Sequence, residues 1–588
     1  MAHWDRGLQD RLNFLWIAFY AGSAILGVRL LHVQVIRNVY YARVAESNRT
    51  QIIHQGAPRG KITDRRGNVI VTNKPTFSLI YLPGETGDAS RISGLAKSIS
   101  KELHEDTETL LEKLKEAHQE ETAIHLAENI SLKTMFKLSE LKTIYPGVDL
   151  IVEARRHYPN GATAGHLLGY MGRMDKRSWR RLRTSGYRVD SWIGKAGIER
   201  RYERQLKGID GESRMEVDAR GHLKRKIGES PWTPGANLRL TLDLKIQKAV
   251  EEGLRKSPSG MGGVVVLDPR NGAVLALAST PDYDPNVFLL PDWEKPKNFL
   301  KNLPEFNRAI QGTYSPGSTF KMLVGAAMFD LGIDPDDKVF CSGKFKLGRR
   351  VFRCLRKTGH GRVDWMRGIT HSCNVYFYAM GLRATGANIE RFSKMFGLGR
   401  KTGSRLKGEK AGNLFGPVAR KSRKRGWYEG DTVNLSIGQG ELLVTPLQMA
   451  VYAAALANRG TLWRPFVVSK IVYSDGTEEP AEKAEKNGVI DLSDNSWDLI
   501  SDGMRSVITN GTGRRVNIPG IDVRGKTGTA QNPHGEDHAW FVAFAGREGE
   551  EPSLALAVLV QNGGHGSSAA GPIARKAIEA AFSSREDL

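Results

Sequence analysis

The polarity pattern of the chain changes character three times. From Leu12 to Val28 it is unbroken and uncharged, and after Arg29 it resumes with LLHVQVI. A run of that length predicts a membrane-spanning helix over residues 12–36, with Arg29 able to snorkel near one end. Ala21-Gly22-Ser23 offers the small residues of a cleavage site, but the apolar run continues past it, which favours an uncleaved anchor. No second run of comparable length follows.

Beyond the run, turn signals alternate with short β-prone segments. Lys61–Asp64 and Val69–Thr72 flank Arg65-Arg66-Gly67-Asn68, which predicts a hairpin. Residues 89–143 are charged and helical in period. Ser230-Pro231-Trp232-Thr233-Pro234-Gly235 then marks a domain boundary.

A third texture begins there. GGVVVLDPRNGAVLALAST is two apolar runs around a turn. HAWFVAFAG and LALAVLVQNG are two more near the end, followed by the helical GPIARKAIEAAF. Strands at both ends of a segment with helices between predict an α+β domain whose sheet gathers its first and last strands. The expected organisation is a tail over 1–11, an anchor over 12–36, a mixed α/β region over 37–235 and an α+β domain over 236–583. The basic stretch 405–425 inside that domain reads as a solvated surface loop.

Composition narrows the class of function. The 588 residues carry 86 Lys and Arg against 64 Asp and Glu, a net charge of +22. Such a balance suits polyanionic partners. Helix-turn-helix, zinc-finger and RNP signatures are missing, which argues against nucleic acid. The three cysteines all lie between Cys341 and Cys373, and an odd, low count does not suit a disulfide scaffold.

Three short motifs carry the candidate chemistry, and each occurs more than once. S-x-x-K stands at Ser98, Ser318 and Ser404, S-x-N at Ser372 and Ser493, and K-T-G at Lys357, Lys401 and Lys526. Context selects one of each. Ser318 follows the Pro316-Gly317 turn at the start of a strongly apolar helix, so Lys321 lies one turn on, beside it and desolvated, a candidate base for a serine nucleophile. Ser98–Lys101 and Ser404–Lys407 lie among charged residues and read as solvated surface pairs. Ser372-Cys373-Asn374 opens an aromatic helix, where Ser372 could relay a proton and Asn374 hold a substrate amide. Ser493-Asp494-Asn495 reads as an ordinary N-cap. Lys526-Thr527-Gly528-Thr529 precedes the two C-terminal strands. On an edge strand, Lys526 and Thr527 could bind a carboxylate, Gly528 could leave room for substrate backbone, and the Thr529 and Ser318 N–H groups could form an oxyanion hole. Lys357 and Lys401 open turns.

The three motifs in this order resemble those of the class B penicillin-binding proteins, and the resemblance covers nearly the whole chain. It extends from APRGKITDRRGNVIVTN and GKAGIERRYERQLKG to TPDYDPNVF, Gly359-His360-Gly361 and WYEGDTVNLSIGQGELLVTPLQMA. The last three are similar to the elongation branch, and Gln439 stands where the division branch has Tyr. The resemblance implies a non-catalytic pedestal over 37–235 and a penicillin-binding transpeptidase domain of the serine β-lactamase-like fold over 236–583. It implies acylation of Ser318 by the D-alanyl-D-alanine end of a peptidoglycan stem peptide, departure of D-alanine with help from Ser372, and transfer to an amine. β-Lactams would be inhibitors, and a membrane glycan polymerase and an elongation complex would be partners. The location would be the inner membrane, single-pass, with the catalytic domain in the periplasm. No cofactor is needed for catalysis. A carboxypeptidase or β-lactamase-like hydrolase, a division-type transpeptidase, a β-lactam sensor and a scaffold remain alternatives.

Cys341, Cys354, His360 and Cys373 are spaced C-x12-C-x5-H-x12-C. Three thiolates and an imidazole form the ligand set of a closed structural zinc site. Buried free thiols, or one disulfide with a leftover cysteine, are the alternatives. Some elongation-type relatives carry zinc on Asp, Asp, His and Cys. The resemblance sets His360, Cys373 and Cys354 in that pattern, with Cys341 near the remaining Asp but out of register.

Overall fold

The computed structural model describes residues 2–41, 50–83, 90–103, 105–119, 124–145, 147–188, 191–217, 223–290, 295–298, 301 and 304–583. The chain divides into two compact units. The first comprises Met1–Ala57, Pro75–Arg155 and Ile209–Thr233, and the second Pro58–Lys74, Arg156–Gly208 and Pro234–Leu588. Two segments that the pattern set in the pedestal, Pro58–Lys74 and Arg156–Gly208, thus pack with the C-terminal domain.

In the first unit a helix over Ala2–Leu31 continues as a π-helical turn over His32–Ile36. Leu8–Ile36 has a mean hydropathy of 1.7 and is long and apolar enough to cross a membrane. Phe14, Trp16, Phe19, Ile25 and Leu31 all point outward, as a helix apolar on all sides does when lipid is its solvent. The rest of the unit packs around Leu79, Tyr81, Leu95, Leu110, Leu126 and Leu138. The described part of 89–143 holds helices at Ser90–Leu103, Thr107–Gln119 and Leu132–Ile144, as the period predicts. It also holds a strand, Ile124–Ile130, that the period misses. This strand gains its ladder from Phe77–Tyr81, about fifty residues upstream, and no local pattern reports such a partner.

The second unit confirms the predicted hairpins. Ile62–Thr63 pairs with Val69–Val71 across a turn closed by the Asp64 carboxylate, which accepts from the N–H groups of Arg66 and Asn68. The central five-stranded antiparallel sheet runs in the order Val274–Thr280, Gly262–Leu267, Leu554–Val560, His538–Arg547, Ile521–Ala530, so first and last strands do meet. Its faces alternate as a pleat requires. Val264, Val266, Phe541 and Ala543 belong to one core with the helices Leu244–Arg255 and Ala570–Phe582. Val265, Leu267, Trp540 and Val542 belong to the other, with Lys321–Asp330 and Pro446–Ala457. Ile521–Ala530 is left as the edge strand, the place the third motif requires.

Candidate active site

Ser318 lies not in an α-helix but in a 3₁₀ turn, Gly317–Phe320, from which the α-helix begins at Lys321. A 3₁₀ turn has three residues, so positions i and i+3 eclipse and Ser318 and Lys321 share one face. Gly317 makes the turn possible: its φ is +56°, and a Cβ there would stand 2.6 Å from the Thr529 carbonyl oxygen. The turn is held down by Gly317 N–H donating to Gly438 O at 3.0 Å and Trp540 Nε1 donating to Ser315 O at 2.9 Å.

Ser372 reaches this place through a helix end. Trp365–Thr370 terminates with Cys373 N–H on Gly368 O and Ser372 at φ +53°. That geometry normally belongs to glycine or asparagine, and a serine there carries strain on the order of 1 kcal/mol. Asn374 then starts a new helix at once, Asn374–Ala384. The pair of turns presents Ser372 and Asn374 together. Lys321 Nζ donates to Asn374 Oδ1 at 2.8 Å, to Ser372 O at 2.9 Å and to Ser372 Oγ at 3.2 Å. It also sits 4.9 Å from the centre of the Phe377 ring, a contact with no signal in the sequence.

From the edge strand, Lys526 Nζ donates to the same Ser372 Oγ at 2.9 Å and to Thr527 O at 3.1 Å. Lys526 is wholly buried, so it stands behind Ser372 and does not offer its ammonium openly to a carboxylate, as the sequence suggested. Gly528 also differs from its expected use. A Cβ there would lie 2.8 Å from Thr319 Cγ2, so the glycine admits the nucleophile turn. Thr527 Oγ1 shares a 2.6 Å hydrogen bond with Thr512 Oγ1. Thr512 escaped the sequence reading, although its setting between Gly511 and Gly513 was a usable signal. Gln439 Nε2 donates to Thr529 O at 3.5 Å.

Both lysines are fully buried, and neither has a carboxylate partner among the described ion pairs. Burial lowers Lys321 to about 8, with the nearby Cys373 and Cys354 pulling the other way. Burial and the charge of Lys321 push Lys526 well below the ordinary lysine range. Two ammonium groups on one hydroxyl in a dry site repel, which favours the neutral form of one of them.

The rejected motifs resolve as follows. Ser493 caps its helix by accepting from Ser496 N–H. Ser98 donates to Gly94 O within its own helix. Ser404 is not solvated, as its charged neighbours suggested: it is buried, with its hydroxyl on Glu409 Oε2 at 2.8 Å. Lys401–Gly403 is loop, and Thr402 bonds the same glutamate. The 405–425 stretch is partly tied down, with Arg420 and Arg425 on Glu441 at 3.0 and 2.9 Å.

Cys341, Cys354, His360 and Cys373 converge, each offering a ligand atom within 4.8 Å of the others. Both Cys341 Sγ and Cys354 Sγ lie 3.6 Å from His360 Nδ1. The strands Val339–Cys341 and Gly361–Val363 pair to bring the two ends of this region together. All three cysteines are buried, and none is in a disulfide. A hydrogen bond from Cys373 lowers Cys354 while Cys373 itself is raised. The donor set fits a tetrahedral thiophilic ion.

Residues 262–579 match the penicillin binding protein transpeptidase domain, and residues 54–240 match the penicillin-binding protein dimerisation domain. Peptidoglycan D,D-transpeptidase MrdA of Acinetobacter baumannii is 32% identical over 571 residues, covering 93% of this chain and 84% of its own. The penicillin-binding protein PBP2 of Helicobacter pylori, solved in complex with MreC, superposes with a TM-score of 0.75 at 28% identity, covering 90% of this chain and 98% of its own. A chain of a peptidoglycan synthase complex, solved in a study of coordinated polymerization and crosslinking, gives 0.69 at 29% identity, covering 98% and 100%. With a transpeptidase domain over more than half its length and likeness to such relatives from end to end, the chain belongs to the penicillin-binding protein transpeptidases, among the class B proteins of the PBP2 type.

Proposed function

We propose that this chain is a peptidoglycan D,D-transpeptidase of the cell-elongation type, with Ser318 as its acylated nucleophile. The observation that carries the mechanism is the Ser372 hydroxyl bridged between two buried lysines, Lys526 and Lys321, the latter one turn from Ser318. Neutral Lys321 takes the Ser318 Oγ proton as Oγ attacks the carbonyl between the last two D-alanines. The N–H groups of Ser318 and Thr529 receive the oxyanion. On collapse the C–N bond breaks, and the departing D-alanine nitrogen takes the proton from Lys321 through the Ser372 hydroxyl. Lys526, behind Ser372, keeps that hydroxyl oriented by donating to it. Thr527 and Thr512 are the hydroxyls placed for the terminal carboxylate, and Asn374 for the peptide amide. An amine from a neighbouring stem then attacks the Ser318 ester and gives up its proton by the same route, leaving an amide cross-link and free Ser318. A β-lactam amide opens in the first step and remains as the ester.

The apolar N-terminal helix anchors the chain, and the chemistry places the catalytic domain on the periplasmic side, where the substrate lies. Relatives solved with MreC and within a peptidoglycan synthase complex support similar partners here, a shape-determining protein and a glycan polymerase.

Cys341, Cys354, His360 and Cys373 would hold a zinc ion. With all four positions filled by protein, its chemistry is structural. It would fix Cys373, and with it the strained Ser372–Asn374 turn, against the Lys321 helix. Elemental analysis of unchelated protein is expected to give about one zinc per chain, lost in His360→Ala. A disulfide between any two of these cysteines would contradict the site.

Incubation of the full chain with lipid-linked precursor and a glycan polymerase is expected to yield dimeric peptides, and Ser318→Ala to yield none. Release of D-alanine without dimers would make water the acceptor and the protein a carboxypeptidase.

A further inference from the structure

The mechanism leaves one charged surface unused. From Lys338 to Val363 the chain has nine cations, Lys338, Lys344, Lys346, Arg349, Arg350, Arg353, Arg356, Lys357 and Arg362, and no Asp or Glu. The acids that flank the stretch are engaged, Asp337 by Arg383 and Asp364 as a helix cap. Elsewhere on this unit surface cations sit beside acids, as in Arg255–Asp282, Lys394–Glu390 and Arg575–Glu579. Among the described ion pairs, none involves any of the nine.

This is a rigid feature. Lys344–Leu347 and Arg350–Arg353 form a hairpin in full register, turned at Gly348-Arg349 with Gly348 at φ +56°. Phe345 and Phe352 pack on Tyr378 with ring centres 5.8 and 5.6 Å away, and the Tyr378 hydroxyl donates to Arg353 O at 3.1 Å. With one face fixed to the helix Asn374–Ala384, the other shows Lys344, Lys346 and Arg353 to solvent. Lys344 stands directly opposite Arg353, a like-charge cross-strand pair that weakens a free hairpin. An anionic partner would relieve that repulsion.

The partner's identity follows from where the hairpin is rooted. Cys354, the next residue, has its sulfur within 4.8 Å of the Cys373 ligand atom, and Cys373 separates Ser372 from Asn374. The hairpin is therefore rooted beside the second catalytic motif. We infer that this hairpin is a docking surface for the carboxylate-bearing stem peptides of a glycan strand, holding the polymer next to the nucleophile. The inference rests on the transpeptidase reading and adds an electrostatic site outside the catalytic groups.

The test uses detergent-solubilised full chain pelleted with purified peptidoglycan sacculi. A parallel sample is labelled with fluorescent penicillin, which reports the fold and the transpeptidase reading separately. Combining Lys344→Gln, Lys346→Gln and Arg353→Gln is expected to weaken pelleting about tenfold with penicillin labelling unchanged. Sacculi whose carboxylates have been amidated are expected to lose the wild-type protein to a similar degree, as is raised salt. Equal pelleting of variant and wild type, or retention on amidated sacculi, would overturn the inference. So would a variant that keeps its sacculus binding and loses binding to anionic phospholipid vesicles, since that makes the face a lipid contact. Unlabelled wild type would overturn the transpeptidase reading and the docking site with it.

Discussion

Two of the places where the second unit buries charge are built on opposite principles. In one, Arg59 and Arg156 meet Glu199 and Glu203. Arg59 bonds Glu199 Oε2 and Glu203 Oε2, both at 2.7 Å, and Arg156 bonds Glu199 Oε1 at 2.7 Å. Tyr158, Tyr187 and the Gly194 N–H fill the remaining acceptor sites. Burial pushes Glu199 up, yet Arg156 and Arg59 hold its carboxyl below the usual range. Two cations balance two anions, and the cluster is a joint. In the other place, Lys321 and Lys526 share a serine hydroxyl with no carboxylate beside them. That imbalance costs stability and holds both amines below the ordinary lysine range. Balanced buried charge resists change, whereas unbalanced buried charge stores reactivity.

The largest expected difference between the two clusters is in chemistry. Lys321→Ala should lower the rate of penicillin acylation by about a thousandfold or more, read by intact mass over time. A fall of a few fold would mean that some other group takes the Ser318 proton. In the balanced cluster, Glu199→Ala should leave two buried arginines short of a partner and cost about 3–5 kcal/mol, measured as the denaturant midpoint, while folded protein keeps its acylation rate. A loss below about 1 kcal/mol would show the joint to be no more than a surface pair.

The pH dependence separates them again. Below about 8, Lys321 is protonated and cannot accept the serine proton, so acylation should fall about tenfold per pH unit on the acid side and level off above. A flat profile from pH 6 to 9 would remove Lys321 as the base. Smallest of all, Tyr158→Phe deletes one 3.3 Å hydrogen bond to Glu199 and should cost about 1 kcal/mol without touching acylation.

What the sequence disclosed follows the same division. The strands Gly262–Leu267, Val274–Thr280, His538–Arg547 and Leu554–Val560 were legible because burial on both faces leaves continuous apolar runs. The three motifs were legible through their neighbours, since an apolar helix after Ser318 and a strand at Lys526 are local facts. The balanced joint was not: Glu199 and Glu203 lie in GKAGIERRYERQL, a stretch of mixed polarity, while Arg59 stands 140 residues from Glu199. Nor could spacing show the left-handed turn at Ser372, whose type prefers glycine, or that Lys526 hides behind that serine. Those follow from tertiary packing of distant segments.

The central claim is that the unbalanced cluster exists to activate Ser318. Peptide mapping after penicillin treatment tests it most directly. The account predicts a single adduct on the peptide containing Ser318, absent from Ser318→Ala; an adduct that survives that substitution, or that maps to Ser372, would contradict it.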